Sequence, residues 1–148
     1  MTISSTSSDQ TLAMESATKS FIDVWNTKDY DKLDGIATAD FQRVAPDQNA
    51  NGLAEMKQFM SQVHTTNPDF SIDINESAYA DDTSFILWTA RGTNTGDGDV
   101  PASGNKWEVS GITMLRFVGG KVSQEIAHYD TATLLNQVGT SELPHVAQ

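Results

Sequence analysis

The stretch Gly111–Gly139, GITMLRFVGGKVSQEIAHYDTATLLNQVG, is the part of the chain that decides the fold. A strand pattern runs up to Gly119 and Gly120, which can adopt the positive φ angles of a tight hairpin turn. A second strand leaves this turn and stops at Asp130, where a helical pattern begins. The stretch therefore predicts a β-hairpin followed by a short helix, which Gly139 is well placed to end.

The second strand of this hairpin carries the residues on which the functional prediction depends. Successive side chains of a strand alternate between its two faces. Strict alternation puts five residues on one face: Val122, Gln124, Ile126, His128 and Asp130. Because two of them are aliphatic, we expect this face to be buried, with the imidazole and the carboxylate adjacent at the end of the strand. Burying ionisable groups without partners is costly, so the pair predicts a functional pocket.

The chain before this hairpin changes from a helical to a strand-like pattern. Apolar residues recur at helical spacing in residues 14–25, 30–36 and 53–63, and strand patterns follow in residues 70–74, 84–92 and 107–117. Helices followed by hairpin-connected strands indicate the α+β class, with helices packed on one face of an antiparallel sheet. A long sheet of this kind must twist. Helices across its concave face then leave a conical cavity, where we expect a small ligand to bind.

The composition of the chain argues against several classes of function. The 148 residues fit one domain, and the formal net charge of −11 argues against binding to nucleic acid or to an anionic membrane surface. The chain has no cysteine, which excludes disulfides, thiolate nucleophiles and cysteine metal sites.

The two ends of the chain differ from its middle. We expect residues 1–9, which are rich in Ser and Thr, to be a disordered tail, residues 10–139 to form the single domain, and residues 140–148 to be a second tail. The start has no basic cluster followed by an apolar run, so it does not predict a signal peptide. No stretch has the apolar length that crosses a bilayer. We therefore expect a cytoplasmic protein with no membrane partner.

The order of these elements and their short motifs resembles the SnoaL-like polyketide cyclases of the NTF2-like superfamily. The matching residues lie in the loop before residue 107, in the last hairpin and in the last helix: Gly96, Pro101, Gly104, Lys106, Gly111, Phe117, Gly120, Lys121, Val122, Asp130, Leu134, Leu135, Gln137 and Gly139. The resemblance implies an α+β NTF2-like cone that forms a homodimer through the outer face of its curved sheet. It also implies that Asp130 is the general acid/base of an intramolecular aldol ring closure.

Two positions depart from the family pattern. Relatives often carry an acidic residue and a tryptophan on the inward face of the final strand, where this chain has Gln124 and Ile126. The difference concerns the substrate more than the fold. The superfamily also contains isomerases, dehydratases, hydrolases and non-catalytic proteins, so the fold alone does not identify the reaction.

Asp130 has a structural as well as a functional interpretation. Aspartate is a favoured N-cap, and residues 131–133 lead directly into a helical pattern. A cap that accepts backbone N–H bonds has a lowered pKa, whereas an acid/base catalyst needs an apolar setting that raises its pKa. In the functional interpretation His128 orients Asp130 or polarises a substrate oxygen, and in the other His128 is a hydrogen-bonded core residue.

Eight further residues are predicted to contact the substrate: Trp25, Phe59, Met60, Trp88, Arg91, Trp107, Gln124 and Ile126. Aromatic side chains at these spacings are also typical of an ordinary core, and Arg91 could equally form a salt bridge. No nucleotide-binding fingerprint, hydrolase elbow or metal-ligand spacing occurs. We therefore predict neither a cofactor nor a metal.

Together these features predict cofactor-free proton transfer next to a carbonyl, giving aldol cyclisation or isomerisation of a small hydrophobic molecule. The alternative is a non-catalytic small-molecule-binding or dimerisation module. The cavity distinguishes the two. An enzyme needs Asp130 and His128 directed into a closed apolar cavity, whereas a filled core with both residues turned outward favours the alternative.

Overall fold

The fold is α+β, and the computed structural model describes it over residues 8–98 and 101–139. The predicted tails fall outside these residues, except that Ser8 and Asp9 already belong to the first helix. The helices are α1 (Ser8–Thr27), α2 (Leu33–Ile36), α3 (Leu53–Thr66) and α4 (Thr131–Val138), and a 3₁₀ turn at Tyr30–Lys32 precedes α2. The strands are β1 (Ala37–Val44), β2 (Ala50–Asn51), β3 (Ser71–Ala80), β4 (Thr83–Thr93), β5 (Lys106–Val118) and β6 (Lys121–Tyr129).

The six strands form one open, mixed sheet in the order β2-β1-β6-β5-β4-β3. Neighbouring strands are antiparallel except for β1 and β6, which are parallel. Helix α1 packs on β3 and β4, and α3 packs on β1 and β2. The buried side chains of these helices and the inward side chains of the strands form a single hydrophobic core. The predicted fold, a curved mixed sheet with the N-terminal helices on its concave face and a short C-terminal helix, is confirmed.

The tight turn between β5 and β6 also matches the sequence prediction. Gly119 and Gly120 have φ angles of 58° and 79°. Positive φ at both central residues is the signature of a type I′ hairpin turn, whose twist matches that of the flanking strands. Gly139 ends α4 in the left-handed conformation, with φ 86°, as its position predicted.

A β-bulge in β6 changes which side chains face the core. Arg116 pairs with Gln124 but Phe117 pairs with Val122, so Ser123 is an extra residue on β6. An extra residue shifts the alternation by one and moves every later side chain to the opposite face. The expectation that strict alternation continues through β6 is therefore wrong.

The burial of β6 agrees with this shift. Val122 is buried before the bulge, and Glu125 and Ala127 are buried after it, whereas His128 is exposed. Opposite residues of an antiparallel pair share a face, and Ile126 is opposite Met114. The neighbours of Met114 on β5, Thr113 and Leu115, are buried. Met114 and Ile126 therefore face away from the core. Gln124, Ile126 and His128 consequently lie on the outer face of the sheet.

Candidate active site

A cavity of about 430 Å³ lies between the concave face of the sheet and helices α1, α3 and α4. Much of its wall is aromatic, formed by Trp25, Phe59, Phe70, Trp88, Trp107 and Tyr129. These include all three tryptophans of the chain. Residues Leu134, Leu135 and Val138 of α4 contribute an aliphatic section of the same wall. A cavity of this size and character fits a small, mainly apolar molecule.

Two of the tryptophans are held by hydrogen bonds within the protein. Trp88 Nε1 donates to Thr113 Oγ1 at 2.9 Å, and Trp107 Nε1 donates to Asn67 Oδ1 at 2.8 Å. The Trp88 ring lies so close to Gly111 that a Cβ atom there would be 2.4 Å from it. Because both indole N–H groups are already satisfied, these side chains offer only apolar surface to a ligand.

Charged side chains enter the cavity at the pairing of β1 with β6. Arg43 on β1 and Glu125 on β6 are register partners, and Arg43 Nε donates to Glu125 Oε1 at 3.1 Å. Arg43 Nη1 also donates to Asp47 Oδ1 at 2.7 Å. The guanidinium lies 4.3 Å from the centre of the Phe59 ring, a cation–π distance. One buried cation is thus shared between two carboxylates.

Asp47 is the better satisfied of the two carboxylates. In addition to the Arg43 guanidinium, it accepts a hydrogen bond from Tyr129 Oη at 2.9 Å and one from Gln48 N at 2.6 Å. Asp47 therefore accepts hydrogen bonds from three residues, Arg43, Tyr129 and Gln48.

Glu125 has fewer donors and is more deeply buried. The residue is 4% exposed, and it lines the cavity. Within the described residues its carboxylate receives a hydrogen bond from Arg43 Nε at Oε1 and from no other group. Burial raises the pKa of Glu125, and the attraction of Arg43 offsets this only in part. When two carboxylates share one cation, a proton binds to the carboxylate that accepts fewer hydrogen bonds.

The charge states of the neighbouring groups follow from the same surroundings. Burial raises the pKa of the Tyr129 phenol, and the nearby Asp47 carboxylate raises it further, so Tyr129 is neutral. Burial acts to lower the pKa of Arg43, but the charges of Glu125 and Asp47 outweigh it and leave the pKa raised. The cluster therefore contains one cation, Arg43, that is paired with two carboxyl groups, and Glu125 is the carboxyl group whose pKa is raised.

A buried histidine joins α3 to α1 but lies outside the cavity lining. His64 Nε2 is 2.7 Å from the Trp25 carbonyl oxygen and therefore donates to it, which leaves Nδ1 to accept from Tyr30 Oη at 2.6 Å. Burial lowers the pKa of His64 and favours this neutral tautomer. Its two partners make His64 a structural residue that positions Trp25.

The structure separates the eight predicted substrate contacts into two groups. Trp25, Phe59, Trp88 and Trp107 line the cavity. Met60 is buried in the core without lining the cavity, and Gln124 and Ile126 lie on the outer face because of the bulge. Arg91 is also on the outer face, where it bridges Asp73 at 2.8 Å and Glu108 at 3.3 Å.

The predicted catalytic pair does not point into the cavity. Asp130 is exposed and caps α4, since its carboxylate accepts from Thr133 N at 3.0 Å and from Thr133 Oγ1 at 2.7 Å. These hydrogen bonds lower the pKa of Asp130. His128 is exposed as well. The expected inward orientation of both residues is therefore wrong, and their catalytic role stays a prediction without its geometric basis.

Sequence reasoning did not find Glu125, Asp47 or Tyr129 as site residues. Strict alternation assigns Glu125 and Tyr129 to the outer face, and no glycine or proline marks the bulge at Ser123. The contact between Arg43 and Glu125 joins residues 82 positions apart, so no local pattern indicates it. A usable signal was present in Ala127, a small apolar residue two positions after Glu125 that fits a buried position.

The described residues contain no group of three or more side chains suited to hold a metal ion. Among those same residues, no helix combines the length and apolar character that a membrane span requires.

Comparison with known proteins agrees with this fold. A protein from Jannaschia sp. CCS1, assigned as a SnoaL-like polyketide cyclase, is 18% identical, with 91% of this chain and 96% of that chain covered and a TM-score of 0.80. A Bacillus cereus protein assigned as a polyketide cyclase is 19% identical, with coverage of 93% and 87% and a TM-score of 0.80. A Catenulispora acidiphila protein with a ketosteroid isomerase-like fold is 17% identical, with coverage of 84% and 92% and a TM-score of 0.73.

At these identities the structural likeness shows the fold alone. No curated protein matches the chain. The family model of the SnoaL-like polyketide cyclases, however, matches residues 15–138, which include the whole cavity lining. The chain therefore belongs to the SnoaL-like polyketide cyclase family.

Proposed function

We propose that the protein catalyses cofactor-free proton transfer at a carbon next to a carbonyl, with Glu125 as the acid/base. The reaction would be an aldol cyclisation or an isomerisation of a small hydrophobic molecule. One observation carries this proposal: Glu125 is a buried carboxyl group on the cavity wall, its pKa is raised, and one of its oxygens accepts from no donor among the described residues. A carboxyl group whose pKa is shifted toward neutrality suits proton transfer in both directions.

The proposed steps move one proton and leave no net change in the protein. The Glu125 carboxylate removes a proton from the carbon next to the carbonyl, and the electrons of that C–H bond form an enolate. In a cyclisation the enolate carbon then attacks a second carbonyl of the same molecule, and the resulting alkoxide takes the proton from Glu125. In an isomerisation the proton returns to another carbon of the enolate system.

Arg43 and Tyr129 have positioning roles in this scheme. Arg43 holds Glu125 Oε1, which leaves Oε2 for the substrate. Tyr129 donates to Asp47 and so helps to hold Asp47 against Arg43. The aromatic wall gives these groups mainly apolar surroundings, which strengthens each of these electrostatic interactions.

The family resemblance gives the acid/base role to Asp130, and we assign it instead to Glu125. The reason is the contrast in surroundings, because Asp130 is an exposed helix cap with a lowered pKa. The β-bulge also supplies what the family pattern leads one to expect, an acidic residue on the inward face of the final strand.

Exchange of a ketone's α protons for deuterium tests the proposal directly. We would follow 2-tetralone in D₂O by proton NMR and compare the wild type with Glu125→Gln and with the matched control Asp130→Asn. General acid/base groups contribute about 100-fold or more, so we expect Glu125→Gln to lose at least that factor. Asp130→Asn should exchange at nearly the wild-type rate, and the reverse pattern would refute the assignment.

The non-catalytic alternative is favoured by one feature of the same cluster. The buried ion pair between Arg43 and Glu125 is a contact that a purely structural cluster would also show. In that case 2-tetralone would bind, as seen by quenching of tryptophan fluorescence, without faster proton exchange in the wild-type protein.

We further propose that two copies associate through the outer face of the sheet. This face exposes Phe85, Leu87 and Ile112, which are 38%, 44% and 43% accessible. Across β4 and β5, Leu87 pairs with Ile112, and Phe85 pairs with Met114. Exposed apolar rows of this kind mark contact surfaces. Light scattering should give a dimer mass for the wild type and a monomer mass for Leu87→Lys, and a monomeric wild type would reject the proposal.

A further inference from the structure

The mouth of the cavity has a row of uncharged polar side chains along α3. Gln58, Ser61, Gln62 and Thr65 line this part of the cavity, and all four are exposed. Residues four apart on a helix share a face, so Gln58 lies beside Gln62 and Ser61 beside Thr65. Within the described residues the side-chain amides of Gln58 and Gln62 form no hydrogen bond. We call these four residues the α3 row.

The α3 row matches hydroxyl groups in its hydrogen-bonding chemistry. A glutamine amide both donates and accepts, and so does a hydroxyl group. Thr65 Oγ1 donates to the backbone oxygen of Ser61 at 2.9 Å, which leaves its lone pairs as acceptors. Together the row offers donors and acceptors over two helical turns, next to a cavity whose wall is mostly apolar.

The same region offers no free positive charge to an anionic ligand. The nine Lys and Arg residues of the chain all belong to its described part, and among them Arg43 is the one that lines the cavity. Its guanidinium is already paired with Asp47 and Glu125. Lys57 belongs to α3 but bonds to Asp31 and Asp34 instead. The one cation inside the cavity is already paired, and the chain as a whole carries −11, so phosphate and carboxylate groups are repelled.

We infer that the natural ligand is a free, uncharged molecule with an apolar ring system in the cavity and a hydroxylated portion, such as a sugar, along the α3 row. The charges disfavour a phosphate-bearing thioester or a ligand tethered to an acidic carrier protein. This inference rests on the proposed function in taking the cavity as the ligand site, and it does not depend on Glu125 as the acid/base.

Three naphthalene probes separate these ligand classes. Quenching of tryptophan fluorescence would give Kd for 2-naphthol, 2-naphthyl β-D-glucopyranoside and 2-naphthyl phosphate. We expect the glucoside to bind about tenfold more tightly than 2-naphthol, the effect of one or two net hydrogen bonds. The phosphate should bind more weakly than 2-naphthol, and the difference should shrink in high salt.

The double variant Gln58→Ala/Gln62→Ala tests whether the α3 row causes the preference. It should remove the tighter binding of the glucoside and leave the Kd of 2-naphthol unchanged. Gln124→Ala, which removes a glutamine from the outer face, is the matched control and should keep the preference. Circular dichroism would verify that both variants are folded.

Three outcomes would overturn the inference: a glucoside no tighter than 2-naphthol, a phosphate that binds as tightly as the glucoside, or no saturable quenching by any probe. Because 2-tetralone has no hydroxylated portion, its proton exchange is independent of the α3 row. A wild-type protein that catalyses exchange but does not prefer the glucoside would reject this inference alone. A wild-type protein that prefers the glucoside but does not catalyse exchange would reject the catalytic role of Glu125 alone.

Discussion

Two carboxylates near the end of the last hairpin, Glu125 and Asp130, lie five residues apart in opposite surroundings. Glu125 is buried on the cavity wall, and its pKa is raised. Asp130 is exposed at the start of α4, and hydrogen bonds from Thr133 lower its pKa. The same chemical group is therefore suited to proton transfer in one place and to helix capping in the other.

The difference in surroundings between Glu125 and Asp130 arises from the one-residue β-bulge in β6. If Ser123 were paired in the ladder and β6 had no bulge, alternation along the strand would turn Glu125 outward. A sequence pattern that identifies the correct strand can thus still select the wrong side chain. An acidic residue does face the cavity, but one position away from where strict alternation places an inward side chain.

The largest expected effect contrasts a buried with an exposed arginine. Arg43 and Arg91 each bridge two carboxylates, but Arg43 is 6% exposed and Arg91 lies on the outer face. Arg43→Met should lower the free energy of unfolding by about 3–5 kcal/mol, because the buried Glu125 and the partly buried Asp47 lose their cation. Arg91→Met should change it little. Urea denaturation measures both, and equal losses would contradict the contrast.

Moving the carboxylate by one position should have the next largest effect. The double variant Gln124→Glu/Glu125→Gln keeps the composition and the net charge but places the carboxylate on the outer face. Exchange of the 2-tetralone α protons should fall by about 100-fold or more. Recovery of wild-type exchange would mean that position 124 faces the cavity, against the register of the bulge.

The two carboxylates should give opposite dependences of stability on pH. Glu125 holds its proton to a higher pH when folded, so above its ordinary pKa of 4.5 the folded state binds more protons than the unfolded state. Its contribution is fully present below 4.5 and is lost as the pH rises through the raised pKa. The difference in unfolding free energy between the wild type and Glu125→Gln should therefore fall with rising pH. A difference that grows would contradict the burial effect.

Asp130 should show the opposite sign. Its folded pKa lies below the ordinary value of 3.8, so its contribution is present above 3.8 and is lost as the pH falls through the lowered pKa. Comparison of the wild type with Asp130→Ala in acid gives this difference directly. The capping interpretation would be rejected if the contribution of Asp130 to the free energy of unfolding increased as the pH falls.

The smallest expected effect concerns the cap itself. Asp130→Ala should lower Tm modestly, because Thr133 N and Oγ1 lose their acceptor. Asp130→Asn should lower Tm less, since asparagine is also a good N-cap. Both variants should keep proton exchange. Calorimetry measures the shifts, and an equal loss for the two variants would show that charge rather than capping is responsible.

The fold was predictable because its signals are local. Helical spacing found α1 and α3, and Gly119 and Gly120 marked the turn between β5 and β6. The aromatic wall was predicted in part, because Trp25 and Phe59 share the buried faces of their helices. The charged cluster was not predictable, because it depends on a bulge without a sequence signal and on β1 pairing with a strand far along the chain.

The most direct test is a ¹³C NMR titration of the side-chain carboxyl groups of Glu125 and Asp130 in the wild-type protein. We expect Glu125 to titrate above 4.5 and Asp130 below 3.8. A Glu125 carboxyl that titrates at or below its ordinary value would contradict the assignment of Glu125 as the group that exchanges a proton with the ligand.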